Sequence, residues 1–335
     1  MDHPDSGPTT PAQVSALLDR IRYEEGVSRE QITRAPRPSR IGRGWDNTQW
    51  HVGALEDGTR VVLRVPERQL AREILPHEIA LLGDGASLPP SLPFSRPRLL
   101  GQIPTDAPGG PAALLTWIEG HVVAELVRST PGAAPDLAEQ LAIALAALHR
   151  PAPDGHPRGR VRGVPLVRRG AAVLAELPLL DRPTGERVRR AWEQGLGADV
   201  WDGPDLLLHG DPHPGNLVVP APGSPREDTT RLGLIDWGDT CAGDPASDLG
   251  ALFHLDPSGG ALGIYLSRAD WAREADARTR DALVLRARAW AARYAAAILS
   301  HPAHAEETTH AALEASARRM IDGMSAHSPA RRSGR

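Results

Sequence analysis

Lysine is absent: all 38 basic residues of this 335-residue chain are arginine. Chemistry that needs a lysine amine is therefore excluded, namely a P-loop of the G-x-x-x-x-G-K-[ST] kind, a Schiff-base enzyme and an S-x-x-K acyl-transfer site. Cysteine is nearly absent as well. Cys241 alone permits neither an internal disulfide nor a cysteine-rich zinc site, which points away from a stapled secreted fold and toward a reducing compartment. No run of about 20 apolar residues is present to cross a bilayer. The start Met1-Asp2-His3-Pro4-Asp5 is acidic where a signal peptide is basic and then apolar, so the sequence reads as cytoplasmic with no membrane partner. Basic surplus is missing too: the formal net charge is −4, which gives no pull toward nucleic acid. What remains is ample for a folded protein. Hydrophobic residues make 41% of the chain, and at roughly 150 residues per domain the length fits two units.

Along the chain, Thr9 or Thr10 before Pro11 marks a helix start, with Val14, Leu17, Leu18 and Ile21 on one face. Residues 1–39 are read as an N-terminal helical extension. From Arg40 the pattern shortens to strand-like runs, and Asp57-Gly58 between apolar stretches signals a hairpin into Val61-Val62-Leu63-Arg64-Val65. Gln69 to Leu82 reads as a helix interrupted by Pro76. Ala112 to Ile118 reads as an edge strand leading to a hinge, which closes a β-rich unit over 40–116. The unit over 117–324 reads as mostly helical, with helices at Asp136–Leu148, Ala171–Leu177, Glu186–Gln194 and Arg280–Ser300, and 325–335 as a frayed tail. The Pro/Gly/Arg-rich stretch Pro151–Gly170 reads as a solvated loop. This order predicts a bilobal α+β protein with a cleft.

Two loop motifs carry the chemistry. Leu206-Leu207-Leu208 runs into His209-Gly210-Asp211-Pro212-His213-Pro214-Gly215-Asn216, and a second apolar run, Leu232 to Ile235, ends at Asp236-Trp237-Gly238. Two carboxylates and an amide at strand ends, Asp211, Asn216 and Asp236, make oxygen ligands for magnesium with a carboxylate to spare for a hydroxyl proton. A rival reading takes His209, Asp211 and His213 as the ligands of a metal-dependent hydrolase. Pro212 and Pro214 oppose it, because they forbid the regular strand that would put all three on one face.

In these residues the chain resembles the aminoglycoside and macrolide phosphotransferase family, a branch of the protein-kinase-like fold. His209-Gly210-Asp211 with Asn216 parallels the kinase catalytic loop, and Asp236-Trp237-Gly238 stands where D-F-G would. Gly243-Asp244-Pro245-Ala246-Ser247-Asp248-Leu249 matches the family's G-D-P-x-x-D-L stretch, which is structural in relatives. The resemblance implies a bilobal kinase-like fold with a β-rich nucleotide-binding N-lobe and a helical catalytic C-lobe. It implies a kinase that moves the γ-phosphoryl of ATP or GTP to a small hydroxylated acceptor, such as a macrolide or aminoglycoside, and thereby gives antibiotic resistance. Asp211 would be catalytic, and Asn216 and Asp236 would bind Mg2+. Arg64 would stand on the strand where kinases keep a lysine against the phosphates, paired with Glu78, or else with Glu73, on the next helix. Gly42, Gly44 and Asn47 would line the phosphate-covering loop, though a third glycine is missing. Thr116 and Ile118 would lie at the purine-binding hinge. A kinase-fold scaffold that binds nucleotide without activity is the remaining alternative.

Overall fold

A computed structural model describes residues 10–43, 47–83, 88, 91–221, 232–301 and 308–326. Gly44, proposed for the phosphate-covering loop, lies outside the described residues, as do Thr9 and most of the 325–335 tail. The chain divides into two compact units, Met1–Gly120 with Pro220–Asp239, and His121–Val219 with Thr240–Arg335. The sequence places the change of unit at 116/117 and gives no sign that 220–239 returns to the first.

The first unit opens with helix α1 (Pro11–Leu18), capped by Thr10, whose hydroxyl accepts from the Gln13 amide while the Gln13 side chain returns a bond to the Thr10 amide. Strands β1 (Arg22–Tyr23), β2 (Ile32–Arg43), β3 (Asn47–Leu55) and β4 (Arg60–Pro66) follow, then helix α2 (Gln69–Gly83) and strands β5 (Leu99–Ile103) and β6 (Ala112–Thr116). They form one sheet in the order β1-β5-β6-β4-β3-β2. β2 takes in residues 32–39 and carries Pro36 and Pro38. It tolerates them because it is a sheet edge whose pairing with β3 shifts between Arg34 and Ser39.

β6 corrects the sequence reading. It is not an edge: it lies between β5 and β4, with all five residues buried. A continuous apolar run is what a strand covered on both faces requires. One face of the sheet packs Val61, Leu63, Val65, Trp50 and Leu114 against Val14 and Leu18 of α1. Strand alternation turns Arg64 to the other face, where α2 lies across β4, β5 and β6. Pro76 sits inside α2 without ending it, and the helix starts at Gln69.

The second unit starts with β7 (Gly120–Val122), α3 (Val123–Ser129) and α4 (Ala134–Leu148), which buries Leu137, Leu141, Leu145 and Leu148 along one stripe. After α5 (Gly170–Glu176) and α6 (Arg182–Leu196) come β8 (Leu206–Leu208) and β9 (Leu217–Pro220). β10 (Gly233–Leu234) belongs to the segment that returns to the first unit. There the amide of Ser95 donates to Leu232, and the Leu234 amide donates to Ser95. β11 (Cys241–Gly243), α7 (Ala246–Leu249), α8 (Gly260–Arg268), α9 (Asp270–Glu274), α10 (Ala277–Ser300) and α11 (Thr308–Ala326) complete the chain. β8 pairs antiparallel with β11, Leu208 opposite Cys241, so the loops that leave the two strands start side by side. α10 is the core helix of this unit and packs on α6, α7 and α11.

Candidate functional site

In the first unit Arg64 is the centre of a charge cluster. Its side chain is 6% exposed. One guanidinium nitrogen, Nη1, donates to Glu78 Oε1 at 2.9 Å, and the other, Nη2, donates to Asp236 Oδ1 at 2.6 Å. The partner on α2 is therefore Glu78; Glu73 is exposed and accepts instead from Gln69. Glu78 also accepts from the amide of Trp237 at 3.3 Å. Burial pushes the Glu78 carboxyl above its usual range, and the adjacent Arg64 charge opposes that push. The planar fork of an arginine suits this duty, because it reaches two carboxylates at once where a lysine ammonium offers one point charge.

Asp236 is held in an unusual backbone. Its φ is +64°, a left-handed conformation that aspartate tolerates better than most residues but which is strained by about 1 kcal/mol or more. Trp237 fixes the turn: fully buried, it donates from its indole to Leu234 and stacks on Phe94 with ring centroids 6.0 Å apart. Gly238 fits against Ile74. Held in this way, the Asp236 side chain is left 47% exposed, with Oδ1 on Arg64.

The remaining first-unit residues take these places. Asn47 is buried at the start of β3, opposite Pro66, and Gly42 pairs with Gln49 on β2. Thr116 is buried, and both its amide and its hydroxyl are engaged with Arg98, the amide donating to the Arg98 carbonyl and the hydroxyl accepting from the Arg98 amide. Ile118 is half-buried two residues on.

In the second unit the loop after β8 is braced from behind. The amides of His209 and Gly210 both donate to the Asp248 carboxylate, at 2.8 and 3.0 Å, and Gly210 takes φ +90°. Asp248 sits at the end of a buried chain of polar contacts. The Trp271 indole donates to the Tyr265 hydroxyl, that hydroxyl lies 2.9 Å from His149 Nδ1, and His149 Nε2 lies 3.2 Å from Asp248 Oδ2. An indole only donates, so the Tyr265 oxygen accepts from Trp271, and the two ring nitrogens of His149 link Tyr265 to Asp248. Asp244 forms the second brace, paired with buried Arg286 at 2.8 Å and capping the Ala246 amide.

On that support, Asp211 and Asn216 lie together. The Asn216 amide nitrogen donates to the Asp211 carbonyl at 2.9 Å. That bond uses the Asn216 amide nitrogen, and the side-chain oxygen is a hard donor of the kind magnesium takes. His209 is fully buried and its Nδ1 accepts the Asp211 amide, while His213 Nδ1 accepts the Gly215 amide. Both imidazoles are thus spent on loop geometry. Among the described residues no group of three or more His, Cys, Asp or Glu is placed to hold a metal ion.

One residue of this site was not singled out by the sequence. Arg162, from the stretch read as a solvated loop, donates from Nη2 to Asp211 Oδ1 at 2.8 Å, and its guanidinium lies over the Tyr294 ring. That corrects the solvated-loop reading for this part of the segment. Nothing in a Gly/Arg-rich stretch 49 residues before Asp211 signals the pairing.

The sequence pattern of the phosphotransferase enzyme family matches residues 38–295. Among solved structures, an aminoglycoside 2'-phosphotransferase IIIa in complex with GDP is similar at TM-score 0.56 and 19% identity, covering 89% of this chain and 95% of its own. A choline kinase of Cryptosporidium parvum is similar at TM-score 0.53 and 11% identity, covering 94% and 96%. A macrolide 2'-phosphotransferase of Brachybacterium faecium stands at TM-score 0.50 and 21% identity, covering 92% and 96%. No curated protein sequence matches the chain. With an antiparallel β unit, a helical unit and a family pattern over most of its length, the chain belongs to the phosphotransferase enzyme family and has its bilobal kinase-like fold.

Proposed function

We propose that this phosphotransferase is a small-molecule kinase that transfers the γ-phosphoryl of ATP or GTP to a hydroxyl of an antibiotic-like acceptor, a macrolide or an aminoglycoside, and so confers resistance. The observation that carries the reading is the Arg64 guanidinium joined to both Glu78 and Asp236. A buried cation on the central strand, fixed by one carboxylate and sharing a second that is half exposed, is what a site for nucleotide phosphates requires.

In this reading Arg64 takes the upstream phosphates, with Glu78 holding its fork in place. Gly42, Gly44 and Asn47 belong to the covering loop. With the Thr116 amide and hydroxyl engaged by Arg98, the purine edge is assigned to the hinge peptide at Ile118. Asn216 and Asp236 are the ligands for Mg2+, which supplies charge neutralisation for the phosphates when bound. Asp211 aligns the acceptor hydroxyl. The hydroxyl oxygen forms the new bond to the γ-phosphorus as its proton passes to Asp211, and the nucleoside diphosphate leaves with the electron pair of the broken bond. Most of the work is positioning and neutralisation rather than strong base catalysis.

The test is mass spectrometry of macrolides, aminoglycosides and small hydroxylated metabolites after incubation with magnesium and ATP or GTP, with Asp211→Asn alongside. A gain of one phosphoryl group on one acceptor class, absent from Asp211→Asn, supports the reading. A gain that persists in Asp211→Asn removes Asp211 from its role.

A further inference from the structure

Apolar side chains scattered singly over a surface need no account, but a group gathered from separate segments does. In the second unit Val167 is 72% exposed, Leu196 46% and Val200 68%. They come from the 3-10 turn Leu166–Arg169, the last residue of α6 and the stretch before β8, and all three line one cavity of about 280 Å³. Val164 and Leu166, both buried, line it as well. An engineered cavity of about 150 Å³ takes up benzene, so this one has room for about two fused rings.

The walls are fixed in advance, which spares a ligand the cost of ordering them. Gly195 lets α6 lie against α10, where a Cβ would come within 2.3 Å of the Ala289 Cβ, and Gly243 lets β11 lie against Gly163, where a Cβ would come within 2.2 Å of the Gly163 oxygen. The Asp244 amide donates to that oxygen at 3.0 Å, and Arg286 joins the Asp244 carboxylate at 2.8 Å and the Asp199 carbonyl at 2.6 Å. Charge in the lining is paired with one exception. Arg286 is matched by Asp244 and Arg158 by Asp205, whereas the Arg168 side chain is exposed and has no ion-pair partner among the described residues. The lining thus carries one positive charge in excess.

We propose that this cavity binds a small fused-ring carboxylate, its ring body against Val167, Leu196 and Val200 and its charge on the Arg168 guanidinium. An apolar lining with one polar anchor is the usual make-up of a small-molecule site, and a guanidinium fork matches a carboxylate in shape as well as charge. Among the described residues, none from His209 to Asn216 lines the cavity, so this ligand is not the acceptor that meets Asp211. Asp244 is one of its walls, and the same carboxylate caps the Ala246 amide at the start of α7, whose Asp248 holds the amides of His209 and Gly210. The ligand therefore rests against the support of that loop. Nothing in the proposal depends on the kinase reading, because its readout is binding and not turnover.

The experiment is equilibrium dialysis of the full chain against 2-naphthoate, read by naphthalene absorbance, with 2-naphthylmethanol as the uncharged counterpart. Val200→Asp and Leu196→Asp each put a carboxylate on an exposed wall position, Arg168→Gln removes the anchor, and Leu179→Asp makes the same kind of change at a leucine that is 61% exposed and does not line the cavity. The unaltered protein should hold 2-naphthoate with a Kd on the order of 0.1 mM, the range for a ligand of this size, and the alcohol about fivefold more weakly or worse. Val200→Asp and Leu196→Asp should each weaken the acid about tenfold or more, Arg168→Gln should bring acid and alcohol within about twofold of each other, and Leu179→Asp should leave the Kd within about twofold. Melting temperatures within about 3 °C of the unaltered protein certify each variant, and if one wall variant fails to fold the other decides. No retention of 2-naphthoate at about 2 mM overturns the proposal. So does a Kd that neither wall variant changes, which places the molecule elsewhere, and so does equal binding of acid and alcohol by the unaltered protein, which removes the anionic class. Failure of the kinase reading would show in the mass spectra alone and would leave these results standing.

Discussion

Acid should weaken this protein through one buried imidazole. His254, at the end of the 3-10 turn after α7, is 1% exposed, and burial first, then the neighbouring His213 and Arg319 charges, hold its pKa down to about 3 while Asp211 pulls the other way. Its environment explains the direction. Ser316 gives its hydroxyl proton to the Leu313 carbonyl at 2.8 Å, so at 2.7 Å it accepts from His254 Nδ1–H, and Nε2 is buried without a hydrogen-bond partner. A second proton on Nε2 would be a charge with nothing to receive its hydrogen bond.

Unfolded, the same histidine titrates near 6.5. Between about pH 6.5 and 3 the unfolded chain therefore carries a proton that the folded chain refuses, and stability is lost as the pH falls through that window. For a folded value of about 3, the loss between pH 7.5 and 5 comes to about 2 kcal/mol. The check is urea unfolding followed by tryptophan fluorescence at pH 7.5 and 5.0, for the unaltered protein and for His254→Asn. Asparagine places an amide where Nδ1 stood and does not titrate. Its lost packing costs the same at both pH values, so the informative quantity is the change with pH. The unaltered protein should lose about 2 kcal/mol more than the variant on acidification. Equal losses in the two proteins would refute the reasoning, because His254 would then be protonated in the fold.

Asp236→Asn should keep the left-handed backbone, which asparagine tolerates, and lose the charge; titration calorimetry should show nucleotide affinity no longer rising with magnesium, and an unchanged magnesium dependence would remove Asp236 from the ligand set. Arg64→Met should destabilise the protein by about 3–5 kcal/mol by leaving the Glu78 carboxylate buried without its cation, and adding Glu78→Gln should restore more than half of that in thermal unfolding. Gly243→Ala should cost about 1–3 kcal/mol, since its methyl would press on the Gly163 carbonyl, and the loss should appear as a lower melting temperature.

How much of this was legible in the sequence depends on the range of the signal. Asp57-Gly58 between apolar runs gave the β3–β4 hairpin, and the leucine stripe from Leu137 to Leu148 gave α4, because both are local patterns. The placement of Glu78 on α2 and of Arg64 on β4 follows from the same kind of reading. Lost were the features settled by tertiary packing. The prolines of β2 hid residues 32–39 until the sheet edge accounted for them, and the buried setting of β6 depends on which strands flank it. The helices over Gly260–Glu274 escaped because short alanine- and glycine-containing segments carry little periodicity. Arg162 escaped because its partner is reached only when Gly163, Ser247 and Asp244 come together.

The return of Pro220–Asp239 to the first unit has a genetic consequence. That unit is written in two stretches of the gene, with some 99 codons of the other unit between them. A recombination event that moved codons 1–120 as a block would deliver a sheet and α2 without Asp236 and Trp237, leaving Glu78 short of two of its neighbours and Phe94 of its stacking partner. Shuffling with a relative can thus exchange helices or surface loops of the second unit, but the first unit passes between genes only with the whole reading frame through codon 239.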